Sequence, residues 1–138
     1  DVEFVNQVAE EVGLDIVQLS GHEGFQACTK TTVPSFKAVH IGTSSTPQEV
    51  LKSVEIGPLC LLLDTQDPSA RGGTGRTFDW NIAKELALHV PFFVAGGLSP
   101  ANISEAVKSS NAVAVDVSSG VETDGKKDHS KIEQFLKL

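Results

Sequence analysis

An α/β fold with a parallel sheet, forming part of an eight-stranded barrel, is what this sequence predicts, and three observations point there. Short apolar stretches rich in Val, Ile, Leu and Phe alternate five times with amphipathic stretches, the pattern of β/α units whose strands are covered on both faces. Polar or glycine residues stand at the C-terminal end of nearly every strand: Gln18 and Ser20, His40, Asp64, Gly96 and Gly97, Asp116 and Ser118. A barrel draws its binding and catalytic groups from the ends of several strands, whereas a doubly wound open sheet concentrates them at one switch point. Finally, the 138 residues contain neither a linker nor a low-complexity stretch, so one domain, or a piece of one, is expected.

The elements follow in order. "DVEFVNQVAEEVG" reads as a helix closed by Gly13, since glycine readily takes the left-handed conformation that ends helices. "DIVQL" (15–19) is a strand, followed by a helix near 23–32. "FKAVHI" (36–41) is the second strand, and "TPQE" opens a helix over 47–54 with Thr46 as cap and Pro47 at the first helical position. "LCLLLD" (59–64) is the third strand. A glycine loop then leads into "FDWNIAKELALHV", a helix with Asp79 as N-cap. "PFFVAGG" (91–97) is the fourth strand, and "SPANISEAVKSS" repeats the Ser-Pro helix start. Its spacing turns Ile103, Ala106 and Val107 inward, and Asn102 and Glu105 toward water. "AVAVDVSSG" (112–120) is the fifth strand and "HSKIEQFLKL" a terminal helix.

Composition removes several classes of function. A net charge of -7 and a pI near 4.9 leave no basic footprint for nucleic acid or anionic lipid. The longest apolar runs, "PLCLLL" and "VPFFVA", are far too short to span a bilayer, and no signal-peptide pattern opens the chain, so a cytoplasmic location and no membrane partner are expected. Cys28 and Cys60 form no C-x-x-C pair, which predicts reduced thiols, with Cys60 packed in an apolar strand. A first residue of Asp1 and the absence of Met suggest a fragment or a processed or engineered chain.

The glycine cluster "RGGTGRTFDW" (71–80) looks at first like a nucleotide loop. A P-loop needs G-x-x-x-x-G-K-[ST] so that backbone N–H groups wrap the phosphates. With Gly75 as the second glycine, the first position holds Ala70 and the lysine position Arg76, so the pattern fails twice. Asp64 is either a general acid whose pKa is raised by apolar neighbours, or a turn carboxylate. Asp116 either binds a substrate hydroxyl or caps its loop. "AGGLSP" and "DVSSGVE", in consecutive units at the end of the chain, match the loops with which barrels bind phosphate through backbone N–H groups. His22, His40, His89 and His129 show neither H-x-H nor H-E-x-x-H spacing, so no metal is expected. No G-x-S-x-G elbow is present either.

Taken as a set, "GLDIVQLSGHE", "LLLDTQDPSARGGTGRTFDW", "FFVAGGLSPANISEAV" and "VAVDVSSGVETDGKKDHSKIEQF" resemble the phosphoribosylanthranilate isomerases of tryptophan biosynthesis. The resemblance covers nearly the whole chain. It implies a partial (β/α)8 TIM barrel, strands four to eight with their helices, the first three strands being absent, so that residues 1–138 make a single incomplete barrel domain. The implied reaction is an Amadori rearrangement of N-(5-phosphoribosyl)anthranilate to 1-(2-carboxyphenylamino)-1-deoxyribulose 5-phosphate, without cofactor or metal. The resemblance makes Asp64 the acid that protonates the furanose ring oxygen. It places the phosphate grip at Gly96, Gly97, Ser118 and Ser119, a sugar-hydroxyl contact at Asp116, and a substrate contact at Gln18. Gly72, Gly73 and Gly75 become the mobile cover of the acid.

Two departures accompany it. Ser20 stands where the family's Q-L-H-G string has His. The family's general base, a cysteine in a K-I-C-G string on the first strand, and an arginine after the second strand have no counterpart in these residues. Cys28 and Cys60 lie in other elements and do not carry over. The expectation is therefore a chain with the acid and phosphate parts of the site and without the base. Its open edges should pair with a missing N-terminal segment or with copies of itself. The alternative is a non-catalytic phosphosugar-binding half-barrel that needs a complementing chain.

Overall fold

The computed structural model describes residues 1–42, 45–53, 59–65 and 80–137. Helix α1 (Val2–Val12) starts at Asp1, whose carboxylate accepts from the Glu3 N–H, and closes at Gly13, which is left-handed at φ 74. The strands β1 (Val17–Leu19), β2 (Ser35–Ile41), β3 (Cys60–Thr65), β4 (Phe92–Val94) and β5 (Ala114–Val115) form one sheet in the order β1-β2-β3-β4-β5. Every neighbouring pair is parallel. Between them lie α2 (Pro47–Ser53), α3 (Trp80–Leu86) and α4 (Ile103–Ser110). A hairpin of β6 (Glu122–Thr123) and β7 (Lys126–Lys127) follows the sheet and leads into α5 (His129–Leu136).

Strand side chains alternate between faces, and that alternation divides the core. Leu61 and Leu63 of β3, with Phe92 and Val94 of β4 and Ile41 of β2, pack outward against Ala83, Leu86, Ile103 and Ala106 of the helices. Each of these five strand residues is at most 1% exposed, and burying such a side chain is worth about 1.5–3 kcal/mol. On the other face Ala38, Leu62 and Ala95 form a smaller cluster with Phe36 and Phe93, whose rings meet edge to face at 5.3 Å. A third cluster joins Ala9 of α1 to Val17, Leu19 and Cys28. β1 and β5 end the sheet, which among the described residues is an open five-stranded part of a barrel. No helix among the described residues is long and apolar enough to cross a membrane.

Several boundaries differ from the sequence reading. The helix expected near 23–32 is a turn of 3-10 helix, Phe25–Lys30. The hydroxyls of Thr29 and Thr31 bond back to the carbonyls of Gln26 and Cys28 at 2.8 and 2.9 Å, offering the backbone an alternative to a longer α-helix. The expected fifth strand, 112–120, keeps only Ala114–Val115; the chain then leaves the sheet and Ser119–Val121 makes a 3-10 turn. Helix α4 begins at Ile103 rather than at Ser99-Pro100, and α3 ends at Leu86, four residues early. The Thr46 cap is as expected. Its hydroxyl accepts from the Glu49 N–H while Glu49 Oε2 accepts from the Thr46 N–H, a reciprocal capping box. Asp79, the expected cap of α3, lies outside the described residues.

Candidate active site

Of the predicted site residues among those described, Asp64 lies near the end of β3 and Gly96, Gly97, Asp116, Ser118 and Ser119 follow β4 and β5, whereas Gln18 is in the middle of β1, in register with Phe36 near the start of β2. Asp64 shares a face with Leu62 and is paired in register with His40 of β2. Its Oδ2 stands 4.0 Å from His40 Nδ1, with the two side chains 37% and 50% exposed. The leucines of β3 were expected to desolvate this carboxyl. Leu61 and Leu63 instead face the helices, because a strand sends alternate side chains to opposite faces, and only Leu62 lies on Asp64's side. The glycine loop with Gly72, Gly73 and Gly75, expected to cover Asp64, lies outside the described residues.

The loops after β4 and β5 form a corner. Gly96 and Gly97 have φ of 80 and 65, the left-handed region that favours glycine. Asn102 holds this turn, donating through Nδ2 to the Gly97 carbonyl at 2.9 Å and accepting at Oδ1 from the Ser99 N–H at 2.8 Å. The sequence reading turned Asn102 to water; it is half-buried because both ends of its amide are engaged with backbone. At Gly120 a Cβ would fall 1.7 Å from the Leu98 carbonyl oxygen, so the two loops touch backbone to backbone and only glycine fits. Around this contact the N–H groups of Gly96, Gly97, Ser118 and Ser119 donate to no acceptor among the described residues. Backbone N–H groups are obligatory donors, and a cluster left unpaired in neighbouring loops suits an anion.

Asp116 follows β5, two strands from Asp64. Its N–H continues the sheet to the Val94 carbonyl at 2.9 Å, and its exposed carboxylate makes no bond among the described residues. Gln18, exposed on β1, donates to the Ser20 hydroxyl at 2.8 Å. The loop beyond it is stapled by Lys37, whose buried ammonium donates to the carbonyls of Leu19 and Gly21 and to Glu23 Oε1 at 3.0 Å. Burial pushes the Glu23 carboxyl up, but the Lys37 hydrogen bond and charge and nearby backbone donors outweigh it and hold the group below its ordinary value.

The structure thus brings Gly96, Gly97, Ser118 and Ser119 together and sets Asp64 beside His40, while Gln18 stands two strands away from Asp64. Three residues escaped the sequence reading. His40 was noted only as a strand-end residue, though an Asp and a His ending consecutive strands could have marked the pair. Asn102 was assigned to the surface by helical spacing. Lys127 sits on a hairpin whose signal, Asp124-Gly125, was readable. Cys60 opens β3, four residues before Asp64, or about 13 Å along an extended strand. Burial pushes its thiol up, so it is neither placed nor primed to act as a base beside Asp64. No group of three or more His, Cys, Asp or Glu among the described residues could hold a metal.

A parallel β/α sheet with a carboxylate near the end of β3 and unpaired backbone N–H groups in the loops after β4 and β5 is the arrangement of part of a (β/α) barrel. The family model for N-(5'-phosphoribosyl)anthranilate (PRA) isomerase matches residues 1–138, and the chain belongs to that family. It is 41% identical over 146 residues to N-(5'-phosphoribosyl)anthranilate isomerase of Dehalococcoides mccartyi, covering 96% of this chain and 67% of that protein. Among solved structures it is similar to mutually generated monomers of the dimeric isomerase of Thermotoga maritima, with a TM-score of 0.80 and 34% identity, covering 99% of this chain and 66% of that one. It is likewise similar to a PRA isomerase in complex with reduced 1-(o-carboxyphenylamino)-1-deoxyribulose 5-phosphate, with a TM-score of 0.77 and 33% identity, covering 99% of this chain and 64% of that one. The chain spans about two thirds of the length of these relatives.

Proposed function

We propose that this chain carries the sugar-opening and phosphate-binding parts of a PRA isomerase, as a single incomplete barrel domain whose β1–β5 are the fourth to eighth barrel strands. The single observation that carries the reading is the β4–β5 corner, where four unpaired N–H groups surround a contact that only glycine permits. Gly96, Gly97, Ser118 and Ser119 bind the 5-phosphate. Asp64, as general acid, gives a proton to the furanose ring oxygen as the C1–O bond breaks, and the anilino nitrogen supplies the electron pair. Loss of the C2 proton gives the enolamine, and protonation at C1 with loss of the 2-hydroxyl proton then yields the 2-ketone. Asp116 holds a sugar hydroxyl between the two ends, and Gln18 contacts the substrate from β1.

The proton at C2 is taken by a base that the described residues do not supply as a cysteine, since Cys28 lies in a 3-10 turn and Cys60 at the N-terminal end of β3, away from Asp64. The rest of the barrel supplies it, docking on the open flank of β1. The test is twofold. Calorimetry should find that the chain binds the reduced deoxyribulose phosphate analogue, and fluorescence-monitored turnover of phosphoribosylanthranilate should be absent until the remaining barrel segment is added. In the complemented enzyme Asp64→Asn should lower turnover by about a hundred- to ten-thousand-fold with analogue binding kept. A chain that does not bind the analogue sinks the reading. Binding without turnover after complementation favours the phosphosugar-binding half-barrel, to which the open flank also points.

A further inference from the structure

Among the described residues, Lys127 is the cation that reaches the anion corner from an element outside the sheet. Its ammonium lies 2.9 Å from the Ser118 carbonyl oxygen, 3.3 Å from Ser118 Oγ and 2.7 Å from Glu122 Oε1. It is put there by the β6–β7 hairpin, which pairs Glu122 with Lys127 across a two-residue turn. Asp124 and Gly125 both have positive φ, 52 and 74, as a type I′ hairpin requires. The hairpin is anchored in turn. Asp128 caps α5 through the N–H groups of Ser130 and Lys131 and accepts from the Thr123 hydroxyl at 2.7 Å, and the Lys131 ammonium donates to the Glu122 carbonyl.

In a trans peptide the carbonyl and the following N–H point in opposite directions, and no described peptide bond is cis. A donor fixed on the Ser118 carbonyl therefore fixes the direction of the Ser119 N–H. We propose that Lys127 is a positioning residue of the phosphate subsite, holding the Ser118 carbonyl on the hairpin side so that the Ser119 N–H is presented to the anion. Glu122 balances the lysine's charge and sets its direction, so that the ammonium serves the carbonyl and does not replace the backbone donors. This inference rests on the phosphate role given above to the two loops.

The experiment is a titration of the chain with inorganic phosphate, followed by calorimetry and by the backbone amide NMR signals of Gly96, Gly97 and Ser119, in the wild type and in Lys127→Met, Lys127→Arg and Gly125→Val. The wild type should bind phosphate with all three amides shifting. Lys127→Met, and Gly125→Val through its strained turn, should weaken binding by about tenfold, with the Ser119 response lost and those of Gly96 and Gly97 retained. Lys127→Arg should recover most of the affinity. Wild-type affinity in Lys127→Met overturns the positioning role and leaves the phosphate reading intact. Amide signals lost throughout the protein in both lysine variants assign Lys127 to folding and overturn it equally. If phosphate shifts none of the wild-type amides, the phosphate reading fails and takes this inference with it.

Discussion

The corner between β4 and β5 and the flank where α1 lies against β1 rest on the same parallel pairing, but one is closed by its own residues and the other is not. At the corner, Asn102 ties Gly97 to Ser99, Gly120 seats against the Leu98 carbonyl, and Lys127 reaches back to Ser118. At the flank, Phe4, Leu14 and Ile16 are 65%, 39% and 46% exposed. Together with Val8 and Gln18 they line a mainly apolar groove of about 280 Å³. The corner to which we assign the phosphate is thus built from segments close in sequence, residues 96–127. On the Gln18 side the groove stays open among the described residues, and apolar patches of this kind mark interaction sites.

The comparison can be broken most directly at Gly120. A Cβ there meets backbone and not a flexible side chain, so Gly120→Ala should force the loops apart, costing about 1–3 kcal/mol or more of stability and most of the phosphate affinity. A thermal melt and a phosphate titration read both. An unchanged melting temperature would mean that the corner is not closed as described. Next in size is Asn102→Ala, which leaves the Gly97 carbonyl and the Ser99 N–H without their partner. About 1–2 kcal/mol is expected, measured by urea denaturation, with weaker phosphate binding.

At the flank the reverse pattern is expected. Phe4→Ser and Ile16→Thr should change stability by no more than about 0.5 kcal/mol, yet reduce concentration-dependent self-association in light scattering. A wild-type chain that is monodisperse and monomeric at every concentration would show that the groove is not a contact surface. The smallest effect concerns pH at the Lys37 staple. The folded state holds Glu23 below its ordinary 4.5, so its contribution is present above that value and is lost as pH falls through the lower, folded one. Glu23→Gln should therefore flatten the acid limb of the stability–pH curve and leave stability near neutral pH lower. An identical acid limb in the variant would show the staple to be electrostatically silent.

Much of this was readable because the signals are local. Gly13, the Thr46-Pro47 start and the alternation that buries Leu61 and Leu63 each depend on residues a few positions apart. The end of β5 was misread because Val117 and Ser118 continue the strand-like alternation of Val115 and Asp116 while the pairing with β4 stops at the Asp116 N–H. Asn102 was misplaced because helical spacing describes a helix surface and is silent about a side chain at the first turn that reaches back to the preceding loop. Family membership was legible in the glycine, aspartate and serine strings, since those residue types answer to backbone conformation and chemistry together.

By itself, then, the sequence determined the class of fold, the sheet of parallel β/α units, the family and the strand ends at which polar groups gather. All of these follow from periodicity and from residue types with narrow physical roles. Only the tertiary structure decided that Gly120 must be glycine because of Leu98, that His40 faces Asp64, that Asp64's leucine neighbours turn away from it, and that Lys127 folds back onto Ser118. Those are contacts between separate segments, set by register and close approach, and no local pattern of side chains encodes the distance between two backbones.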